Sequence, residues 1–306
     1  MKKITLACIC IAVVAVVSLA QSEPQIHFVG TNSSDALYWH NGQRTVLPKS
    51  SDFAVAVAAA IAISGSSVYI AGFDGADAVY WLNGRRMVLP RSPDGARANA
   101  IAVAGSDLHI AGQDGADAAY WLNGRQTVLP KSNRRAKAVA IAVAGSDVYI
   151  AGQDGVDAAY WLNGKLTVLP RSSGEAMATG IVVSGSDLHI AGWNGSDPVY
   201  WLNGRLTVLP TSSDFAIATE IAVSGPDVYI AGRDGGDAVY WVNGRRTVLP
   251  RSSDDAWANA IAVAGSDVYI AGRDGSDTVY WLNGRRLALP RAPGSIASVF
   301  AAVVIP

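Results

Sequence analysis

DVYIAGRDGSDTVYWLNGRRLALP, residues 267–290, is one copy of a unit that returns along almost the whole of this 306-residue chain. Its Tyr-Trp pair marks the register. The pair stands at Tyr38-Trp39, Tyr80-Trp81, Tyr120-Trp121, Tyr160-Trp161, Tyr200-Trp201, Tyr240-Trp241 and Tyr280-Trp281, in one step of 42 residues and five of 40.

Within one unit, ANAIAVA (Ala98 to Ala104) leads into Gly105-Ser106, a two-residue turn with glycine first, as a type II′ hairpin prefers. DLHIAG then returns at Asp114-Gly115, and DAAYWL runs to Asn123-Gly124, a strong hairpin signal because both central residues need φ > 0. A fourth run, RQTVLP, ends at Pro130, which cannot donate to a ladder and suits a strand end. Four short strands joined by three tight turns describe an antiparallel meander. Meanders repeating every 40 residues are the blades of a β-propeller. No stretch after the first 20 residues shows helical periodicity over a useful length.

The two ends predict how the ring closes. The first unit opens on IHFVG (Ile26 to Gly30), which aligns with the second strand of later units, so its first strand is missing. Ser298 to Val304 aligns with that first strand. The expected architecture is all-β, a seven-bladed propeller of four-stranded antiparallel blades over residues 21–306. Blade 1 comprises 26–48 plus 298–304, and blades 2 to 7 lie within 56–290. Closure by the C-terminal strand hides edges that an open array exposes.

Strand patterning predicts the packing. Simple alternation puts Ala98, Ala100, Ala102 and Ala104 on one face and Ile101 and Val103 on the other, so a small face of one blade receives a bulky face of its neighbour. Tyr and Trp of the third strand point to opposite faces. The pair reads as packing between sheets, with an aromatic ligand platform in each blade as the alternative.

Met1 to Ala20 reads as a secretory signal peptide cut before Gln21. It has Lys2 and Lys3, an apolar run from Ile4 through Val17, and Ser18-Leu19-Ala20 with small residues at the cleavage positions. An uncleaved membrane anchor is the alternative, although the run is short for a span of about 20 residues. A secreted or periplasmic bacterial protein, not inserted in the membrane after cleavage, is therefore expected. Cys8 and Cys10, the only cysteines, lie inside this segment, so the remaining 286 residues can form neither a disulfide framework nor a thiolate metal centre. Without Lys2 and Lys3 the chain has 22 basic and 25 acidic side chains, a net charge of −3, which gives no reason to expect a nucleic-acid partner. A monomer is expected.

The pieces SGSDLHIAG (Ser184 to Gly192), YWLNGR (Tyr280 to Arg285) and TVLP (Thr247 to Pro250) resemble the secreted bacterial repeat proteins built from units of the type "VSG-DVYVAG…YWKNG…L". The likeness covers Ile26 to Val304. It implies a β-propeller and carries over no site residues. Kelch propellers are a more distant likeness, since Ala-Gly replaces their Gly-Gly and the unit here is shorter. The receptor-type YWTD propellers share only the Tyr-Trp letters.

In such a meander the first and third turns lie at one end of the blade and are nearly identical in all units. The second turn and the blade-to-blade linker lie at the other end, and there the units differ. Loops at one end of a rigid scaffold are where binding usually resides. Just after Ala-Gly stand Phe73, Gln113, Gln153, Trp193, Arg233 and Arg273, with Thr31 in the first unit. At the start of the first strand stand Val57, Arg97, Lys137, Met177, Ile217 and Trp257. Trp193 and Trp257 are the only tryptophans outside the repeated pair. Aromatic rings, Gln, Arg and Asp on one face can stack on sugars or receive a protein partner. Neutral drift at solvated positions explains the same variation.

Other patterns point less sharply. The Asp-Gly-x-Asp turn at Asp74 to Asp77, Asp114 to Asp117 and later copies could contribute to a calcium site, but calcium wants six to eight oxygens, and a hairpin turn explains the same letters. No metal or cofactor is expected. Glu220 replaces a small residue in a first strand and reads as a tolerated charge at the channel mouth, or alternatively as a catalytic acid. His27, His109 and His189 occupy the position of Tyr69, Tyr149, Tyr229 and Tyr269, as structural substitutes. There is no nucleophile constellation, metal-ligand spacing or phosphate loop, and the chain is not expected to be an enzyme. The readings rank as a binding or interaction scaffold for a protein or surface ligand first, a carbohydrate-binding propeller second, and a glycoside hydrolase or lyase third.

Overall fold

Seven four-stranded antiparallel sheets make a closed ring in a computed structural model, which describes residues 24–172, 174–290 and 297–305. The proposed signal peptide lies outside the described residues. Among them there is no helix. Each of blades 2 to 7 is a simple meander, as in blade 3: Ala96–Ala104, Asp107–Asp114, Asp117–Leu122 and Arg125–Val128. Blade 1 is built from Gln25–Thr31, Ala36–His40 and Gln43–Val46, and its innermost strand is Ser298–Ile305. That strand pairs antiparallel with Gln25–Thr31, from Gln25 opposite Ile305 to Thr31 opposite Ser298. The C-terminus therefore completes the N-terminal blade, and the innermost strands touch one another around the ring.

The turns have the backbone their residues demand. Asn123 has φ 51° and Gly124 φ 80°, a type I′ pair, and the same Asn-Gly geometry recurs in all seven blades. The second turn differs from its expected form. Asp114 pairs with Asp117, so the central residues are Gly115, with φ 59°, and Ala116, and the aspartate ends a strand instead of making the turn.

One face of each blade is small and the other bulky, but the division differs from simple alternation. In blade 3 the ladder shifts between Ala98 and Ala100, leaving Asn99 as an extra residue. This β-bulge reverses the facing of everything beyond it. Ala96 and Ala98 consequently share a face with Ile101, Ile110 and Trp121 and pack on Ala60, Ala62, Ala71 and Ala78 of blade 2. Ala100, Ala102 and Ala111 lie on the other face, against blade 4. The bulge also explains the Ala-Gly of the second strand. A Cβ on Gly112 would run into the carbonyl oxygen of Arg97, and the equivalent clash recurs at Gly72, Gly152, Gly192, Gly232 and Gly272.

All seven tryptophans of the repeated pair are fully buried, so they are packing groups and not ligand platforms. Each also reaches across a blade boundary. Trp161 Nε1 donates to the Pro130 carbonyl at 2.7 Å, and the same bond joins every neighbouring pair, including Trp39 to Pro290 at 3.0 Å across the closure. Trp161→Phe keeps most of the buried ring but strands the Pro130 carbonyl. The expected loss is about 1–3 kcal/mol in chemical denaturation. An unchanged midpoint would show that the bond adds nothing.

Candidate functional site

The two ends of the disc are built differently. At one end Asn123 ties the first and third turns together, its amide oxygen accepting from Leu108 N at 2.8 Å and its amide nitrogen donating to Asp107 at 2.8 Å. The bond from the strand N–H to this asparagine recurs in every blade. At the other end the linkers lie over the second turns: Gly115 N donates to the Gly95 carbonyl at 2.8 Å, and Ala136 N to the Ala116 carbonyl at 2.9 Å. The variable positions stand at this second end.

A buried carboxylate, Asp74, Asp114, Asp154, Asp234 or Asp274, holds down five of the described linkers. Asp274 accepts from the backbone N–H and hydroxyl groups of Ser252 and Ser253 and from Arg286, at 2.6 to 3.0 Å. Asp234 does the same with Ser212 and Ser213, accepts from the Thr211 hydroxyl and forms an ion pair with Arg246. Burial works to raise these carboxyls, but the donated hydrogen bonds outweigh it and hold both well below the usual range. In blade 5 Asn194 stands in this place, and its amide donates to the Ser172 hydroxyl at 2.8 Å. The aspartates that sequence reading weighs as turn or calcium residues are linker clamps. Similarly, His27, His109 and His189 each bond a third-strand tyrosine hydroxyl at 2.7 Å, and burial lowers their pKa, that of His27 to about 4 with help from His40.

The two predicted variable positions are direct cross-strand neighbours. Arg97 pairs with Gln113, Lys137 with Gln153, Met177 with Trp193, Ile217 with Arg233, Trp257 with Arg273 and Val57 with Phe73. A third variable position escaped sequence reading: Val55, Gly95, Arg135, Glu175, Phe215 and Asp255, just before the first strand. Its carbonyl accepts from the glycine of the second turn at 2.7 to 2.9 Å, which fixes the backbone. Val55 and Phe215 are each about half exposed there. Comparing the units at one more column would have found it.

These residues gather into separate sectors. Between blades 2 and 3 the Arg97 guanidinium lies 4.5 Å over the Phe73 ring. Across blades 6 and 7, Arg233 and Arg273 sit 4.2 and 5.3 Å from the Trp257 ring centre, and Asp255 pairs with both at 3.0 and 2.8 Å while accepting from Trp257 Nε1. This second group is internally satisfied. Across blades 3 to 5, Gln113, Lys137 and Gln153 line an open cleft of about 590 Å³ together with Asp94, Arg135 and Glu175. Trp193 belongs to none of these and stands half-buried beside Met177. Glu220 is also elsewhere. It is buried, with Oε1 accepting from Ile221 N at 3.0 Å and lying 2.7 Å from where a Cβ on Gly180 of the preceding blade would be. It is therefore an interior group at a blade interface, not a solvated charge at a channel mouth.

No family model matches the chain, and no curated protein matches it. Among solved structures, the computationally designed Ika8 protein is similar over 92% of this chain and 88% of its own, with a TM-score of 0.56 and 15% identity. Apo AztD from Citrobacter koseri and a Nidogen/Laminin complex each overlap 92% of this chain and 98% of theirs, with TM-scores of 0.47 and 0.48 and identities of 10% and 11%. The likeness to Ika8, at 15% identity, is one of fold.

Proposed function

We propose that this chain is a secreted, non-catalytic binding protein whose recognition surface is the linker end of the disc. The observation that carries the reading is the contrast between the two ends. Seven copies of one unit keep the same Asn-Gly turn at one end, whereas three neighbouring positions differ from blade to blade at the other. Those positions rest on clamped linkers and rigid strands, which present side chains without a large ordering cost on binding. The non-equivalent blades favour one ligand held by a particular sector over seven equal sugar sites.

The test is a glycan array and a peptide array probed with three proteins. One is unaltered, one carries Gln113→Ala, Lys137→Ala and Trp193→Ala, and one carries Arg125→Ala, Arg205→Ala and Arg285→Ala at the Asn-Gly end. Binding that disappears only in the first variant supports the reading. Binding lost only in the second variant overturns it, as does silence on both arrays.

A further inference from the structure

The cleft across blades 3 to 5 contains two cations that differ in one respect from the cations that follow each blade's proline and from Arg233 and Arg273. The residue after each blade's proline is usually a cation paired with an aspartate of the second turn: Lys49 with Asp35, Arg91 with Asp77, Lys131 with Asp117, Arg171 with Asp157 and Arg251 with Asp237. Arg233 and Arg273 share Asp255. Arg135 and Lys137 line the cleft, and among the described residues neither side chain has an ion pair or hydrogen bond. Their charge faces a cavity of about 590 Å³, within the roughly 300–1,000 Å³ of small-ligand sites.

The rest of the lining narrows the ligand. Asp94 comes from the linker before blade 3 and Glu175 from the linker before blade 5, so in blade order the two cations of blade 4 stand between two carboxylates. Glu175 is held in place by a buried amide: Gln153 Nε2 donates to Glu175 Oε1 at 2.6 Å and to the Ala176 carbonyl at 3.0 Å. Gln113 adds a further amide. No aromatic ring is among these lining residues, so recognition would run on charge and hydrogen bonds and not on stacking. A densely charged polyanion would meet Asp94 and Glu175 as like charges. A ligand with one carboxylate per hydroxyl-bearing ring spaces its charges more widely, so that one carboxylate meets the cations while the hydroxyls of that ring donate to the flanking acceptors.

We propose that this cleft binds an acidic sugar unit, with Arg135 and Lys137 taking its carboxylate and Asp94, Glu175 and Gln113 taking its hydroxyls. This rests on the linker end being the binding surface and adds the class of ligand.

Isothermal titration of the purified protein with tri-galacturonate is the test, beside galactotriose as the neutral trisaccharide and triglutamate as the acidic peptide. Saturable binding of tri-galacturonate is expected, weakened roughly tenfold or more by Arg135→Gln with Lys137→Gln, because each removes a charge-assisted hydrogen bond. Galactotriose should bind comparably more weakly, and Arg205→Gln at the opposite end should change nothing. The proposal is overturned by no saturable binding through the millimolar range, by equal binding of galactotriose, by triglutamate binding as tightly, or by an unaffected double variant. If tri-galacturonate fails while the arrays still report binding at the linker end, only the ligand class falls. If Arg205→Gln abolishes binding and the double variant does not, the surface assignment falls too.

Discussion

A chain ended at Pro290 is expected to lose its cooperative unfolding transition and to elute as aggregate. The truncation removes Ser298–Ile305, in which Val299, Ala301, Ala302, Val303 and Val304 are all buried. At about 1.5–3 kcal/mol for each fully buried valine, the three valines alone approach the roughly 5–15 kcal/mol that holds a whole domain together. The strand also ties blade 1 to blade 7: Asn259 donates to the Val299 carbonyl at 2.8 Å, and Thr278 to the Ala297 carbonyl at 3.0 Å. Its loss leaves Gln25–Thr31 as an open edge able to pair with another chain. Circular dichroism melting and size-exclusion chromatography read both effects. Because Ile305 lies opposite Gln25, a permuted chain that joins them through an Asn-Gly turn should restore a folded monomer. A truncated protein that melts as before, as a monomer, would refute closure by this strand.

Glu220→Ala is expected to stabilise the protein, and increasingly so as pH rises. The other six blades have Ala60, Ala100, Ala140, Gly180, Ala260 and Ala301 at this position. Burial raises the Glu220 carboxyl to about 8, against a small opposing effect of the Ile221 N–H. An acid whose folded pKa lies above its unfolded value of 4.5 costs nothing when protonated in both states. The cost grows as pH climbs from 4.5 to about 8 and is constant beyond, on the order of 5 kcal/mol if the site does not relax. The clamp aspartates act in the opposite sense, since Asp234 and Asp274 are depressed below 3.8 and their stabilisation is lost as pH falls below that value. His27, His109 and His189, whose pKa burial lowers, likewise lose stability as pH falls below 6.5, in both proteins alike. The advantage of Glu220→Ala over the unaltered protein should therefore widen steadily from pH 5 to pH 8. Identical urea midpoints for the two proteins at pH 5 and pH 8 would refute this. Gly180→Ala, which places a methyl group against Glu220 Oε1, should destabilise the unaltered protein and do so less in the Glu220→Ala background.

Much of the fold was legible because the determining features are local and repeated. Asn-Gly needs positive φ wherever it occurs, and a 40-residue period admits few architectures for four short strands. Opposite facing of Tyr and Trp follows from the two-residue strand period. The bulge was not legible, because Asn99 is extra only relative to its partner strand. The clamp was hidden for a similar reason: Asp114 reads as a turn residue until Ser92, 22 positions earlier, donates to it. At the candidate site, the columns after Ala-Gly and at the first strand are legible as differences between units, whereas the linker column with Arg135 and Glu175 joins them only through its bond to a second-turn glycine 20 positions later.

By itself the sequence determined the blades, their number, their Asn-Gly turns and the strand that closes the ring, since these depend on short-range backbone preference and on repetition. Only the tertiary structure decided which side chains meet. Phe73 stacks with Arg97 of the next blade, Asp255 neutralises Arg233 and Arg273, and Arg135 and Lys137 line a cleft in which, among the described residues, they form no ion pair. The Phe73–Arg97 and Arg233–Asp255 contacts cross from one blade to the next, and their distances are set by how bulged sheets pack around the ring, which no single unit of the repeat encodes.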